Sequence, residues 1–168
     1  MDGTLQIQSV SGLRKGKKMF DIFGNFDTVE ELNACAKGLL EEGDLEHLRE
    51  LAKENGIPDG IRDGFERGMQ GELTDPVNAA IGKLDVETVD MGETGMPTRD
   101  IVSYLSMQCF EDEHLARQIR RKKKSLKECI QRIRKEAEDR VKERKGQQVV
   151  SIPDLEVFQM AADYYREA

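Results

Sequence analysis

Ser125-Leu126-Lys127-Glu128-Cys129-Ile130-Gln131-Arg132-Ile133-Arg134-Lys135-Glu136-Ala137-Glu138-Asp139-Arg140-Val141 is the stretch from which the fold class is read. Leu126, Ile130, Ile133, Ala137 and Val141 recur every three to four residues, and nearly everything between them is polar. That period is the mark of a helix with one buried stripe. Ser125-x-x-Glu128 in front of it is a capping box, in which hydroxyl and carboxylate each take up a backbone N–H that the first turn leaves free. Gly146 stops the pattern.

The same grammar extends in both directions. Ser151-Ile152-Pro153-Asp154 opens a C-terminal helix with Val157, Met160, Ala161 and Tyr164 facing inward. Upstream, Thr98 is expected to cap a helix carrying Ile101, Val102, Leu105 and Phe110, and the helical pattern resumes from Glu111 to Lys124. Asp75-Pro76 is a start signal, because Asp caps and Pro has no N–H to lose in the first turn; Val77, Ala80, Ile81 and Leu84 follow. Ile61, Phe65 and Met69 mark a short helix between Pro58 and Gly71, weakened by its glycines. Asp44 opens a helix with Leu45, Leu48, Leu51 and Ala52 on one face, stopped by Asn55-Gly56. Thr28-x-x-Glu31 is a second capping box, leading a helix through Leu32, Ala36, Leu39 and Leu40 to Gly43. The aromatic stretch from Met19 to Phe26 is expected to plug a core or cap that helix. Strand propensity is confined to Val86–Val89 and Gln148–Ile152, both too short for a sheet.

The expected fold is therefore mostly α: small helical domains with at most a minor β-hairpin. The expected organisation is a flexible basic extension over 1–18, an acidic helical region over 19–84, a linker over 85–97 containing Gly92, Gly95 and Pro97, and a helical region with basic helices over 98–168.

Composition narrows the function. The chain has 168 residues and a net charge of −7, with three cysteines, two histidines and no tryptophan. Leu, Ile, Val and Phe supply 40 residues, enough for a modest core. No apolar run approaches the ~20 residues of a membrane helix, so a soluble, cytoplasmic protein with no membrane partner is expected. Cys35, Cys109 and Cys129 are too scattered for a disulfide framework or a zinc site. His47 has Asp44 and Glu50 at three-residue spacing, which an exposed polar face explains as well as a metal does. His114 lacks a second histidine at ligand spacing. Cys129 sits beside the apolar stripe and reads as a small buried residue rather than a nucleophile. The glycines form no phosphate-binding loop. No catalytic, metal or cofactor site is expected, and the chain does not read as an enzyme.

Charge is distributed unevenly, and that asymmetry points to binding. Residues 117–145 hold 14 Lys/Arg against 5 Asp/Glu, whereas residues 19–116 hold 7 basic against 23 acidic side chains. Arg117, Arg120, Arg121 and Lys124 fall at i, i+3, i+4 and i+7, which on a continuous helix is one face. Lys122, Lys123 and Lys127 extend the positive surface around Ser125, and Arg132, Arg134 and Lys135 continue it. Such a ridge is expected to track phosphates of double-stranded DNA without reading bases, since no helix-turn-helix, zinc finger or aromatic stacking pair accompanies it. Opposite it in sign, Glu30, Glu31, Glu41, Glu42, Asp44, Glu46 and Glu50 lie in a stretch, 27–66, with 12 acidic and 4 basic residues. Carboxylates on rigid helices suit the basic groove of a nucleic-acid-binding protein. For both blocks a plain solvated surface is the competing explanation.

Three stretches carry a resemblance. They are Phe20-Asp21-Ile22-Phe23-Gly24-Asn25-Phe26-Asp27-Thr28-Val29-Glu30-Glu31-Leu32, continued at Glu41 to Leu48; Leu73-Thr74-Asp75-Pro76-Val77 through Gly82-Lys83-Leu84-Asp85-Val86-Glu87; and Lys124-Ser125-Leu126-Lys127 with Cys129-Ile130. Together they resemble small proteins of mobile elements of gut bacteria. The ending, Val157-Phe158-Gln159-Met160-Ala161-Ala162-Asp163-Tyr164-Tyr165, is similar to that of the PcfK-like proteins of conjugative elements, with Asp163 where that pattern has histidine. Proteins that look like this group include type II anti-CRISPR proteins. The resemblance implies an inhibitor that binds Cas9 and impairs target-DNA engagement or cleavage, with DNA as a second ligand. The alternative is an accessory DNA-binding or scaffold protein of a conjugative element.

Overall fold

The computed structural model describes residues 19–143 and 152–168. Among them the chain forms eight helices and no strand: α1 Val29–Glu41, α2 Leu45–Glu54, α3 Asp59–Glu66, α4 Pro76–Met91, α5 Thr98–Glu111, α6 Glu113–Arg120, α7 Leu126–Glu143 and α8 Asp154–Arg166. The expected flexible extension over 1–18, Gly146 and most of the Gln148–Ile152 stretch lie outside the described residues.

Local chemistry sets most of the helix starts. Thr28 Oγ1 accepts from the Glu31 N–H at 3.1 Å, and Asp44 Oδ1 accepts from His47 N–H at 3.2 Å. Asp75 Oδ1 accepts from Asn78 N–H at 2.8 Å, and Ser125 Oγ from Glu128 N–H at 3.1 Å. Thr98 departs from expectation. It is the first residue of α5, follows Pro97 in the capping position, and makes no cap. Its buried hydroxyl instead meets that of Thr94 at 2.7 Å.

Two further boundaries differ from the sequence reading. Residues 85–97 were expected to link two halves, yet α4 continues to Met91, so Val86–Val89 is helical rather than extended. Gly92, at φ 62°, ends it. The helical stretch expected from Glu111 to Lys124 is also shorter, starting at Glu113 and ending at Arg120. Asp112, at φ −137° and ψ 90°, separates it from α5 and caps α6 by accepting from Leu115 N–H at 3.1 Å.

The apolar stripes assemble into two clusters that meet on α4. Val29, Leu32 and Ala36 of α1, Leu48, Leu51 and Ala52 of α2, Phe65 of α3, Leu73 and Ala79 form the first. Ala80 and Leu84 of α4 join α5, α6, α7 and α8 in the second, around Leu105, Leu115, Ile119, Ile130, Ala161 and Tyr165. Consecutive residues of α4, Ala79 and Ala80, thus face different clusters. Backbone contact fixes this arrangement. A Cβ at Gly82 would stand 2.3 Å from the Asn55 carbonyl oxygen, and one at Gly56 equally near the Gly82 oxygen, so only glycines let the α2 end reach α4. The aromatic stretch does plug this seam: Phe20 is buried, and Phe23 and Phe26 pack on the first cluster. On α7 the stripe is buried at Leu126, Ile130 and Ile133 but only half-buried at Ala137 and Val141.

Candidate interaction surfaces

The basic segment is not one exposed ridge. α6 ends at Arg120, and Arg121 turns to ψ 137°, so Arg121 and Lys124 leave the helix whose face they were expected to share with Arg117 and Arg120. Arg120 is 1% exposed and Lys124 6%. These two were expected on the DNA-facing surface, and burial removes them from it.

Each buried cation has a structural task. Arg120 donates to the Phe26 carbonyl at 3.1 Å, the Ala79 carbonyl at 3.4 Å and Asn55 Oδ1 at 2.7 Å, with the Phe20 ring 5.7 Å away. Burial pushes its pKa down to about 10, with Glu87 opposing the shift. Lys124 Nζ donates to the Tyr164 carbonyl at 2.6 Å and lies 4.4 Å from that tyrosine's ring centre. In both cases the side chain satisfies carbonyl or amide oxygens rather than presenting charge.

Of the ten other basic residues described between 117 and 143, five meet carboxylates of this same chain. Arg117 bonds Glu30 at 3.0 Å and Glu113 at 3.3 Å. Arg121 bonds Asp27 at 3.2 Å. Lys135 pairs with Asp139 at 3.2 Å, Arg140 with Glu136 and Glu156, and Arg132 with Glu167; Arg134 donates to the Thr94 carbonyl. Among the described residues, Lys122, Lys123 and Lys127 are exposed with no side-chain ion pair and form what is left of the ridge around Ser125.

The acidic block divides likewise. Glu30 is spent on Arg117, whose hydrogen bond holds its carboxyl below the usual range. Asp27, which was not singled out from the sequence, is lowered first by the Lys122 backbone N–H and then by Arg121. Asp44 caps α2 and pairs with His47 at 2.7 Å, and the His47 N–H is the main cause of its lowered pKa. Glu50 is half-buried. Glu31, Glu41, Glu42 and Glu46 stay exposed. Three of these four, Glu41, Glu42 and Glu46, surround the α1–α2 turn at Gly43, whereas Glu31 is about 15 Å back along α1 at 1.5 Å per residue.

Lys83 and Glu87, one turn apart on α4, look like an ordinary surface pair in the sequence, and only the packing reveals them. Lys83 is fully buried and donates to the carbonyls of Ile119, Arg121 and Lys124, each at 2.8 Å. Burial pushes its pKa down to about 8, against the pull of Glu87. Glu87 accepts from the Leu126 N–H at 3.1 Å, and burial raises its pKa while Lys83 opposes. One α4 turn thereby fastens both ends of the α6–α7 junction. Glu87 Oε1 and the Tyr165 hydroxyl are the buried side-chain oxygens without a protein partner among the described residues. Cys109 and Cys129 are fully buried thiols, each pushed up to about 12 by burial. None of the described residues form a group of three or more His, Cys, Asp or Glu able to hold a metal, and no described helix is long and apolar enough to cross a membrane.

The described residues form an all-helical fold with an exposed acidic turn at Glu41, Glu42 and Glu46. Residues 93–168 match the family model described as PcfK-like protein, so the chain carries a PcfK-like segment spanning α5 to α8. No curated protein and no solved structure matches the chain.

Proposed function

We propose that this chain is a non-catalytic binding protein of a mobile element, which sets its acidic α1–α2 end into the positively charged groove of a nucleic-acid-handling protein in the host bacterial cytoplasm. Guide-loaded Cas9 is the specific partner the sequence resemblance implies, with impaired target-DNA engagement or cleavage as the outcome. The observation that carries this reading is the imbalance in charge pairing. Arg117 and Arg121 are engaged by Glu30 and Asp27, while Glu41, Glu42 and Glu46 around Gly43 remain exposed with no ion pair among the described residues. Cas9 holds its guide and target in a positive channel by backbone contacts, so carboxylates on a rigid turn compete for the same field. Duplex DNA is a secondary, sequence-independent ligand, limited to Lys122, Lys123 and Lys127.

The test is a pull-down with guide-loaded Cas9 followed by a DNA-cleavage assay. Capture and inhibition by the native chain, both lost in the Glu41→Lys/Glu42→Lys/Glu46→Lys variant, support the proposal. Failure to bind or inhibit any tested Cas9 favours the second reading, an accessory or scaffold protein of a conjugative element. The PcfK-like match over 93–168 fits a mobile-element origin in either reading.

A further inference from the structure

The PcfK-like segment carries an apolar strip that no described element covers. On α5, the buried side is Ile101, Leu105 and Cys109; Tyr104 is half-buried against the second cluster at its edge, and Met107 and Phe110, on the outer side, are each 69% exposed. α8 lies alongside: the Tyr104 and Phe158 rings stack across the seam with centres 5.0 Å apart, and Arg166 bonds Asp112 at 3.2 Å, so the two helices run in the same direction. Leu155, one turn before Phe158, is 73% exposed. Three large apolar side chains this open along one seam differ from the scattered single exposures that ordinary surfaces show.

The rim argues for the kind of occupant. Asp100, Glu111 and Asp154 are exposed on the same two helices and outnumber their cations, since Arg166 is already bound to Asp112 and only Arg99 there is exposed without an ion pair among the described residues. A second copy would bring the same carboxylates against this rim, on a chain of net charge −7. Five side chains also fall short of the roughly 800 Å² per partner that a stable dimer buries. We propose that the α5–α8 strip docks a basic amphipathic helix of a partner protein. Its apolar side rests on Tyr104, Met107, Phe110, Leu155 and Phe158, and its lysines or arginines meet Asp100, Glu111 and Asp154. This is helix-in-groove recognition, with apolar anchors at three- and four-residue spacing. The surface is separate from the acidic α1–α2 end and stands without it.

A fluorescent 14-residue Leu/Lys helix with Leu on one face, and a control of the same composition with its order permuted, serve as probes for the full chain. The amphipathic probe should bind at least about tenfold more tightly than the permuted one. Met107→Glu/Leu155→Glu should erase that preference, and Glu41→Lys/Glu42→Lys/Glu46→Lys should leave it. Met107→Ser/Leu155→Ser carries the readout if circular dichroism shows the glutamate variant misfolded. Equal affinity for the two probes, or binding unaffected by both strip variants, overturns the proposal. So does a native dimer in sedimentation that the strip variants split, because a second copy is then the occupant.

Discussion

Arg120 Nη2 donates to Asn55 Oδ1 at 2.7 Å, which ties the last residue of α6 to the residue that ends α2. Through this bond the basic half of the sequence is fastened inside the acidic half. Arg120→Met should destabilise the protein by about 3 kcal/mol or more, because it orphans the Asn55, Phe26 and Ala79 oxygens in a dry seam. For a chain of this size that is a fall in Tm of about 6 °C or more. Arg120→Lys should recover only part of it, since an ammonium cannot span the acceptors of a planar fork. An unchanged unfolding midpoint in Arg120→Met would show that the seam does not need the bond.

Charge reversal separates structural from surface cations. Lys122→Glu/Lys123→Glu/Lys127→Glu should fold with a Tm within about 5 °C of the native chain, since exposed positions away from special features shift stability by only about 0.5 kcal/mol each. It should remove any salt-sensitive gel shift with duplex DNA. Lys124→Glu should unfold the protein or lower its Tm sharply, because it buries a carboxylate against the Tyr164 carbonyl. A well-folded Lys124→Glu protein would contradict the buried placement.

These two cases mark how far the sequence could be read. Capping boxes, Asp-Pro starts and apolar stripes are local, and they correctly identified α1, α2, α4, α7 and α8. The i, i+3, i+4, i+7 spacing of Arg117, Arg120, Arg121 and Lys124 was equally regular, but periodicity does not reveal which side of a helix meets a neighbour. Nor did it reveal that Arg121 ends the helix. Arg120 is buried because Asn55, Phe26 and Ala79, 41 to 94 residues away, converge on it. Lys83 and Glu87 escaped notice for the same reason. The segregation of charge survives in the fold, but ion pairs such as Arg117–Glu30 have already used much of it.

Gly82→Ala should destabilise by at least about 2 kcal/mol, since its Cβ would fall 2.3 Å from the Asn55 carbonyl oxygen, a backbone atom that cannot swing aside. Gly38→Ala is the control. Gly38 lies within α1 with open space where the Cβ would go, so alanine should stabilise by up to about 1 kcal/mol. A Gly82→Ala denaturant midpoint no lower than that of the native chain would refute the close α2–α4 contact.

Thiol labelling tests the core independently. In the native state Cys35, which is half-buried, should react with a thiol reagent first, while Cys109 and Cys129 react only after unfolding. Prompt labelling of all three cysteines without denaturant would mean that the second cluster is open.

Stability should peak near pH 9, because buried groups of opposite type act on either side of it. Lys83 has a folded pKa of about 8, below its ordinary 10.5, so the folded state sheds this proton first. Between those values the unfolded chain binds more protons, and stability rises with pH. Cys109 and Cys129 shift the other way, to about 12 from 9.0. Their contribution is complete below pH 9 and is lost as pH climbs toward 12, because only the unfolded chain ionises them readily. Each group contributes a slope of about 1.4 kcal/mol per pH unit in its own window. From pH 8 to 9 Lys83 acts alone among these groups; above 9 two thiols outweigh one amine. Above pH 10 the raised Tyr164 and Tyr165 outweigh the lowered Arg120, so the fall continues. Urea titrations from pH 7 to 10.5 should therefore trace a dome. Lys83→Met should flatten its rising side, and Cys109→Ala/Cys129→Ala its falling side. A native profile that declines steadily from pH 7 would refute the burial assigned to Lys83.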